Sequence, residues 1–165
     1  DSFIDKMSSI KIDILIHNSG IFRDDQLSED LEIDAWMNEM RINAITPIIV
    51  ARKLKQNVLE GKDKKIIFIS SQMGSIDDNY SGRFYFYRSS KSALNSAAKS
   101  LAIDWKDKNI SVLMLHPGWV KTDMGGKSAK LEIPDSIQRM IQVISDLNLE
   151  TSGSFVNYEG NKLEW

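Results

Sequence analysis

Three short apolar runs set the architecture of this chain before any single residue does. Residues 10–16, 65–71 and 111–116 are such runs, and each leads into small polar, glycine or proline residues. Runs of that length bounded by turn formers read as strands buried on both faces, the kind that parallel sheets use. The stretches between them carry apolar residues at helical spacing, and strands joined by helices pair in parallel through right-handed crossovers. The expected fold class is therefore α/β: a Rossmann-like doubly wound parallel sheet with helices on both faces.

The helices follow from the same spacing. Phe3, Ile4 and Met7 fit the last turns of a helix begun upstream, so the chain is expected to start in mid-unit. Across residues 28–60, Trp36, Met40, Ile45, Ile48, Ile49, Leu54 and Val58 predict one long or kinked helix, with Gly61 as its C-terminal stop. Leu94, Ala97, Ala98, Leu101 and Trp105 mark one face of a helix over residues 84–105. Pro134 opens another, to residue 147, and residues 155–158 make a final strand. No repeat or linker divides the chain, so residues 1–165 are expected to form a single domain.

Composition narrows the partners. A net charge of -2 with only short basic clusters argues against nucleic acid and anionic membranes, and no apolar run is long enough to span a bilayer. Without cysteine there is no disulfide, thiolate nucleophile or Cys-based metal site. A cytoplasmic location is the resulting expectation. His17 and His116 lack clustered carboxylates, so structural roles at strand ends are expected and no metal.

Ligands of such sheets lie beyond the C-terminal ends of the strands. Those places hold His17-Asn18-Ser19-Gly20, Ser70-Ser71-Gln72-Met73-Gly74 and Pro117-Gly118-Trp119-Val120-Lys121-Thr122. Turn chemistry alone could account for any one of them. Tyr87 and Lys91, four apart on the helix after the second strand, share a helical face, which lets a phenol and an ammonium act together. Tyr158 and Lys162 repeat the spacing, but Gly160 lies between them and no helical pattern surrounds them.

Taken in order, Asn18-Ser19-Gly20, Asn43, Ser71-x-x-Gly74, Tyr87-x-x-x-Lys91 and Pro117-Gly118-x-x-x-Thr122 resemble the short-chain dehydrogenase/reductase family over the whole chain. The segments 69–75, 116–126 and 158–165 resemble its C-factor and sniffer-type carbonyl reductase subgroup, in which Trp165 would be the natural C-terminus. The resemblance implies hydride transfer between NADP or NAD, NADPH being favoured, and a small carbonyl compound or alcohol. Asn43, Ser71, Tyr87 and Lys91 would be the catalytic set. Asn18, Ser19, Gly20, Tyr87, Lys91, Pro117, Gly118, Val120 and Thr122 would hold the cofactor. A homodimer is a further expectation, as in many relatives.

On this reading Tyr87 is the acid in reduction and the base in oxidation. Its phenol, ordinarily near 10, must fall by about three units to exchange protons freely at neutral pH, or about 4 kcal/mol. Lys91 is expected to supply much of that as a nearby cation and to hold the nicotinamide ribose. Ser71 would donate to the substrate oxygen and Asn43 would place a water leading from Lys91 to solvent. Ser70 competes for the serine role; Ser71 is preferred because it stands three residues before Gly74. A hydrolase triad built on Ser71 and His116 fares worse, because no Gly-x-Ser-x-Gly elbow exists.

The family's glycine-rich turn for the pyrophosphate has no counterpart among the nine glycines. Relatives place three more strands ahead of the first one here, which would leave the strand at residues 10–16 as a sheet edge, an aggregation hazard unless paired. The chain thus reads as the C-terminal catalytic part of an NAD(P)-binding domain that lacks the first strands. A truncated, non-enzymatic signalling or interaction protein is the rival expectation.

Overall fold

The computed structural model describes residues 2–7, 9–23 and 32–165. Four parallel strands form one sheet in the order β1 (Ile14–His17), β2 (Lys65–Ile69), β3 (Ser111–His116) and β4 (Ser154–Asn157). Register is in step: Ile14 pairs with Lys65, Lys65 with Ser111, and Leu113 with Ser154. The helices are α1 (Ser2–Met7), α2 (Ile33–Met40), α3 (Thr46–Lys53), α4 (Lys55–Leu59), α5 (Tyr85–Asp104) and α6 (Ile133–Asp146).

Strand side chains alternate between two cores. Ile66, Phe68, Val112, Met114 and Phe155 join Val58, Leu94, Ala98 and Leu101 on one face. Ile67, Leu113, Leu115 and Val156 meet Ile144 and Leu147 of the α6 region on the other. Helices therefore cover both faces, as expected. Burying each of the larger side chains in these clusters contributes about 1.5–3 kcal/mol. The small residues on α5 matter for closeness, since Ala98 is wholly buried.

Two expectations needed correction. The first strand is shorter than residues 10–16 and is not buried: Ile14 is 38% and Ile16 49% exposed. It stands at the sheet edge with β2 on one side only. The opposite edge is protected, because the C-terminal segment returns antiparallel along β4, with Leu163 N–H donating to the Phe155 carbonyl at 2.9 Å.

The long helix of residues 28–60 is the second. Its first residues lie outside those described, and from Ile33 it is broken into α2, a π-helical turn Arg41–Ile45, α3 and α4. Pro47 has no N–H to give the Asn43 carbonyl four residues back, and the Thr46 N–H bonds Arg41, five residues back. Leu54, at φ -91° and ψ 9°, separates α3 from α4. Gly61 does follow α4, but its φ is not positive. A Cβ there would stand 2.0 Å from the Ile12 carbonyl oxygen, so close approach to the chain entering β1 is what requires glycine.

Candidate active site

Parallel strands bring their C-terminal ends together, and the expected site residues gather there. After β1 the chain is pinned by Asn43 of the π turn. Its Oδ1 accepts from Ile21 N–H at 2.8 Å, while Nδ2 donates to the Ile21 carbonyl at 2.8 Å and to Ser90 Oγ at 3.0 Å. A Cβ on Gly20 would lie 3.5 Å from Lys91 Nζ and 3.6 Å from Asn43 Oδ1, so Gly20, Asn43 and Lys91 converge. Asn18 and Ser19, just before them, are exposed.

The two serines after β2 separate cleanly. Ser70 is buried and donates to Asn95 Oδ1 of α5 at 2.6 Å. Ser71 opens a 3₁₀ turn, Gln72–Gly74, accepts from Met73 N–H at 3.2 Å and draws the Tyr87 phenol toward lower pKa. Gly74 lets this turn rest on α5, since a Cβ would come within 3.0 Å of Lys91 backbone and Cβ atoms. The polar loop at residues 77–82 is tied to the far end of the chain, where the Trp165 carbonyl accepts from Ile76 and Asp77 N–H at 2.9 and 3.0 Å.

Helix α5 carries Tyr87 and Lys91 on one buried face. It begins from three successive positive-φ residues, Gly82, Arg83 and Phe84. Trp36 docks α2 onto it by stacking on Phe86 at 5.3 Å and donating from Nε1 to Ser89 Oγ at 2.8 Å. Lys91 Nζ donates to the Ile69 carbonyl at 3.0 Å and lies 5.6 Å from the centre of the Tyr87 ring.

The electrostatics differ from expectation. Burial pushes the Tyr87 phenol up from its ordinary 10, Ser71 draws it down, and the buried Glu39 carboxylate pushes it up again. Lys91 is not among these causes; its ammonium donates to the Ile69 carbonyl at the end of β2 and lies over the Tyr87 ring. Burial also holds Lys91 itself down to about 8, against an upward pull from Glu39. His17 and His116, at strand ends, are pushed down to about 4 by burial and are neutral at physiological pH. Among the described residues no group of three or more His, Cys, Asp or Glu side chains is placed to hold a metal ion, and no helix is long and apolar enough to cross a membrane.

After β3, Gly118 takes φ +83°, and a Cβ there would strike Leu131 at 2.4 Å and the Tyr158 ring at 2.9 Å. The turn is held by Ser136 of α6, whose hydroxyl donates to the Pro117 carbonyl at 2.7 Å. Val120 bridges to Leu131, and Thr122 Oγ1 accepts from Gly125 N–H at 3.1 Å with its side chain near solvent. Tyr158 therefore flanks Gly118 from beyond β4, and Gly160, at φ +83°, keeps it off any helix with Lys162.

Three contributors escaped the sequence reading. Glu39 stands four residues before Asn43, the spacing of a shared helical face, and that signal was available. Phe22, edge-on to the Tyr87 ring at 5.2 Å, and Ser136 carry no motif that marks them.

Residues 2–132 match the family model described as short chain dehydrogenase. The chain is 37% identical over 154 residues to the C-signal of Myxococcus xanthus, covering 93% of both chains. Its structure is similar to the carbonyl reductase Sniffer of D. melanogaster, with a TM-score of 0.91 and 34% identity over 99% of this chain and 71% of that one. It is similar also to the NADPH-bound carbonyl reductase from chicken fatty liver, with a TM-score of 0.89 and 30% identity over 99% and 70%. With the strand-end cluster and these likenesses in agreement, the chain belongs to the short-chain dehydrogenase family of NAD(P)-dependent oxidoreductases.

Proposed function

We propose that this chain, a single domain, carries the proton-transfer machinery of a carbonyl reductase, with Asn43, Ser71, Tyr87 and Lys91 as its working set. The observation that carries the reading is that Tyr87 and Lys91 are buried together on α5 at the strand ends, with Lys91 Nζ over the Tyr87 ring and donating to the Ile69 carbonyl. A phenol raised above its ordinary 10 keeps its proton at neutral pH, the state that carbonyl reduction requires and alcohol oxidation does not. Tyr87 would give that proton to the substrate oxygen while Ser71 donates a second hydrogen bond to it. The Asn43 side chain is engaged by Ile21 and Ser90, so a water between Lys91 and solvent would use its backbone carbonyl, which Pro47 cannot reach.

The residues fit the nicotinamide end of a cofactor. Lys91 offers a buried ammonium that makes one protein hydrogen bond and faces Gly20, where no side chain fills the space. Lys91 and Tyr87 would hold the ribose; Asn18, Ser19, Gly20, Pro117, Gly118, Val120 and Thr122 would line the rest. When bound, the nicotinamide supplies the hydride. NADPH is favoured over NADH by likeness to the NADPH-bound chicken enzyme. A small carbonyl compound, a cytoplasmic setting and a homodimer complete the reading, since the stretch between Gly126 and Pro134 is short and leaves little to cover the site.

A second reading, a signalling or interaction protein, is favoured by one observation: the likeness to the C-signal spans 93% of both chains. Titrating the chain with NADPH and NADH by nicotinamide fluorescence, then assaying carbonyl reduction with Tyr87→Phe as control, separates the two. Saturable NADPH binding with turnover lost in Tyr87→Phe supports the reductase. Binding of neither cofactor removes the reductase reading for this chain and leaves the second.

A further inference from the structure

Glu39 is a carboxylate only 1% exposed on α2, and the proton transfer proposed above has no use for it. Its Oε1 accepts from the Arg23 backbone N–H at 2.6 Å. One turn further on, Asn43 grips Ile21 from both sides of its peptide. The two side chains thus pin the segment on either side of Phe22, whose ring stands edge-on to Tyr87 at 5.2 Å and 5.6 Å from Phe84. Glu39 stands one helical turn before Asn43, whose Nδ2 reaches Ser90, the residue next to Lys91 on α5.

We propose that Glu39 is a positioning residue for the Tyr87–Lys91 pair: it seats Phe22 against the Tyr87 ring, and its buried negative charge acts on the Lys91 ammonium. The inference rests on the reductase reading for its purpose but not for its test. Its field opposes the effect of burial on Lys91, which stands at about 8. At that value Lys91 is about nine-tenths ammonium at pH 7, and one unit lower it would be about half. The same field makes Tyr87 hold its proton harder. Among the described residues, the other groups that meet the pair, Asn43, Ser71, Ser90 and Phe22, carry no charge, and His17 at the end of β1 is neutral.

The test is ¹³C NMR of the 165-residue chain labelled at tyrosine Cζ and lysine Cε, with the two resonances assigned through Tyr87→Phe and Lys91→Arg. Glu39→Gln keeps an oxygen for the Arg23 N–H and removes the charge. Both Lys91 and Tyr87 are expected to titrate about one unit lower in that variant, and Glu39→Asp to restore most of the shift. Unchanged midpoints in Glu39→Gln overturn the proposal. If Glu39→Gln does not fold, the Glu39 ¹³Cδ resonance of the unsubstituted chain is followed instead. It should show a step at the Lys91 midpoint that vanishes in Lys91→Arg, and its absence overturns the proposal equally. Neither readout involves cofactor or turnover, so failure of the reductase reading would not be mistaken for failure of this one.

Discussion

Replacing Gly61 by alanine should damage this fold well beyond an ordinary glycine-to-alanine change. The added Cβ would stand 2.0 Å from the Ile12 carbonyl oxygen, 2.5 Å from its carbon and 2.9 Å from Asp13 N, all backbone atoms that no rotamer change can move. Ordinary contact needs roughly 1.4 Å more, so the chain before β1 must separate from the end of α4. Two hydrogen bonds cross that seam: Ile12 N–H to the Asn57 carbonyl at 2.9 Å and Lys62 N–H to Asp13 Oδ1 at 2.6 Å. Losing them at about 1 kcal/mol each, with 1–2 kcal/mol of strain, gives about 3–4 kcal/mol. For a chain of this length that is a fall in Tm of roughly 10 °C. Gly82→Ala is the control: it has φ +64° but nothing within 4 Å, and should cost about 1 kcal/mol from backbone conformation alone. Urea unfolding followed by circular dichroism measures both. A Gly61→Ala chain as stable as Gly82→Ala would refute the argument from close approach. Because β1 leads to Gly20, the same variant should also weaken any binding near Lys91.

The neighbouring serines should part company: Ser70→Ala, which strips a buried partner from Asn95, is expected to cost about 1–2 kcal/mol in denaturant while sparing turnover. Ser71→Ala should do the reverse, lowering kcat about a hundredfold or more with little loss of stability. Asn57→Ala removes donors to the Met7 and Ile10 carbonyls, at 2.5 and 2.7 Å, and should cost about 2 kcal/mol with amide exchange near β1 accelerated. His116 is held below its unfolded value of 6.5, at about 4. The stability tied to its neutral form is therefore complete above pH 6.5 and is lost as pH falls toward 4, by about 2–3 kcal/mol. Thermal unfolding across that window should flatten in His116→Gln, and an unchanged slope would count against a buried neutral imidazole.

Parallel sheet, helical crossovers and the strand-end cluster were legible in the amino-acid sequence because each depends on local chemistry. Residues 111–116 are apolar in an unbroken run and form β3 with those bounds, since a central strand is buried on both faces and its residue types say so. Tyr87 and Lys91 share a face because helical geometry alone places residues four apart together. Order and spacing of the motifs were enough to point to the family.

What tertiary structure decided is whatever depends on neighbours distant in the chain. Of the apolar run at residues 10–16 only Ile14, Leu15 and Ile16 join the strand, because pairing begins where β2 does, at Lys65 opposite Ile14. Spacing to Gly74 already favoured Ser71; what packing adds is that Asn95 of the next helix claims the Ser70 hydroxyl. The Tyr87 phenol rises, not falls, because burial and the Glu39 charge arise from packing α2 onto α5, and sequence spacing contains no measure of either. Residue type and periodicity choose which groups come to the strand ends; desolvation and the fields of buried charges, which exist only once the layers close, set what those groups can do.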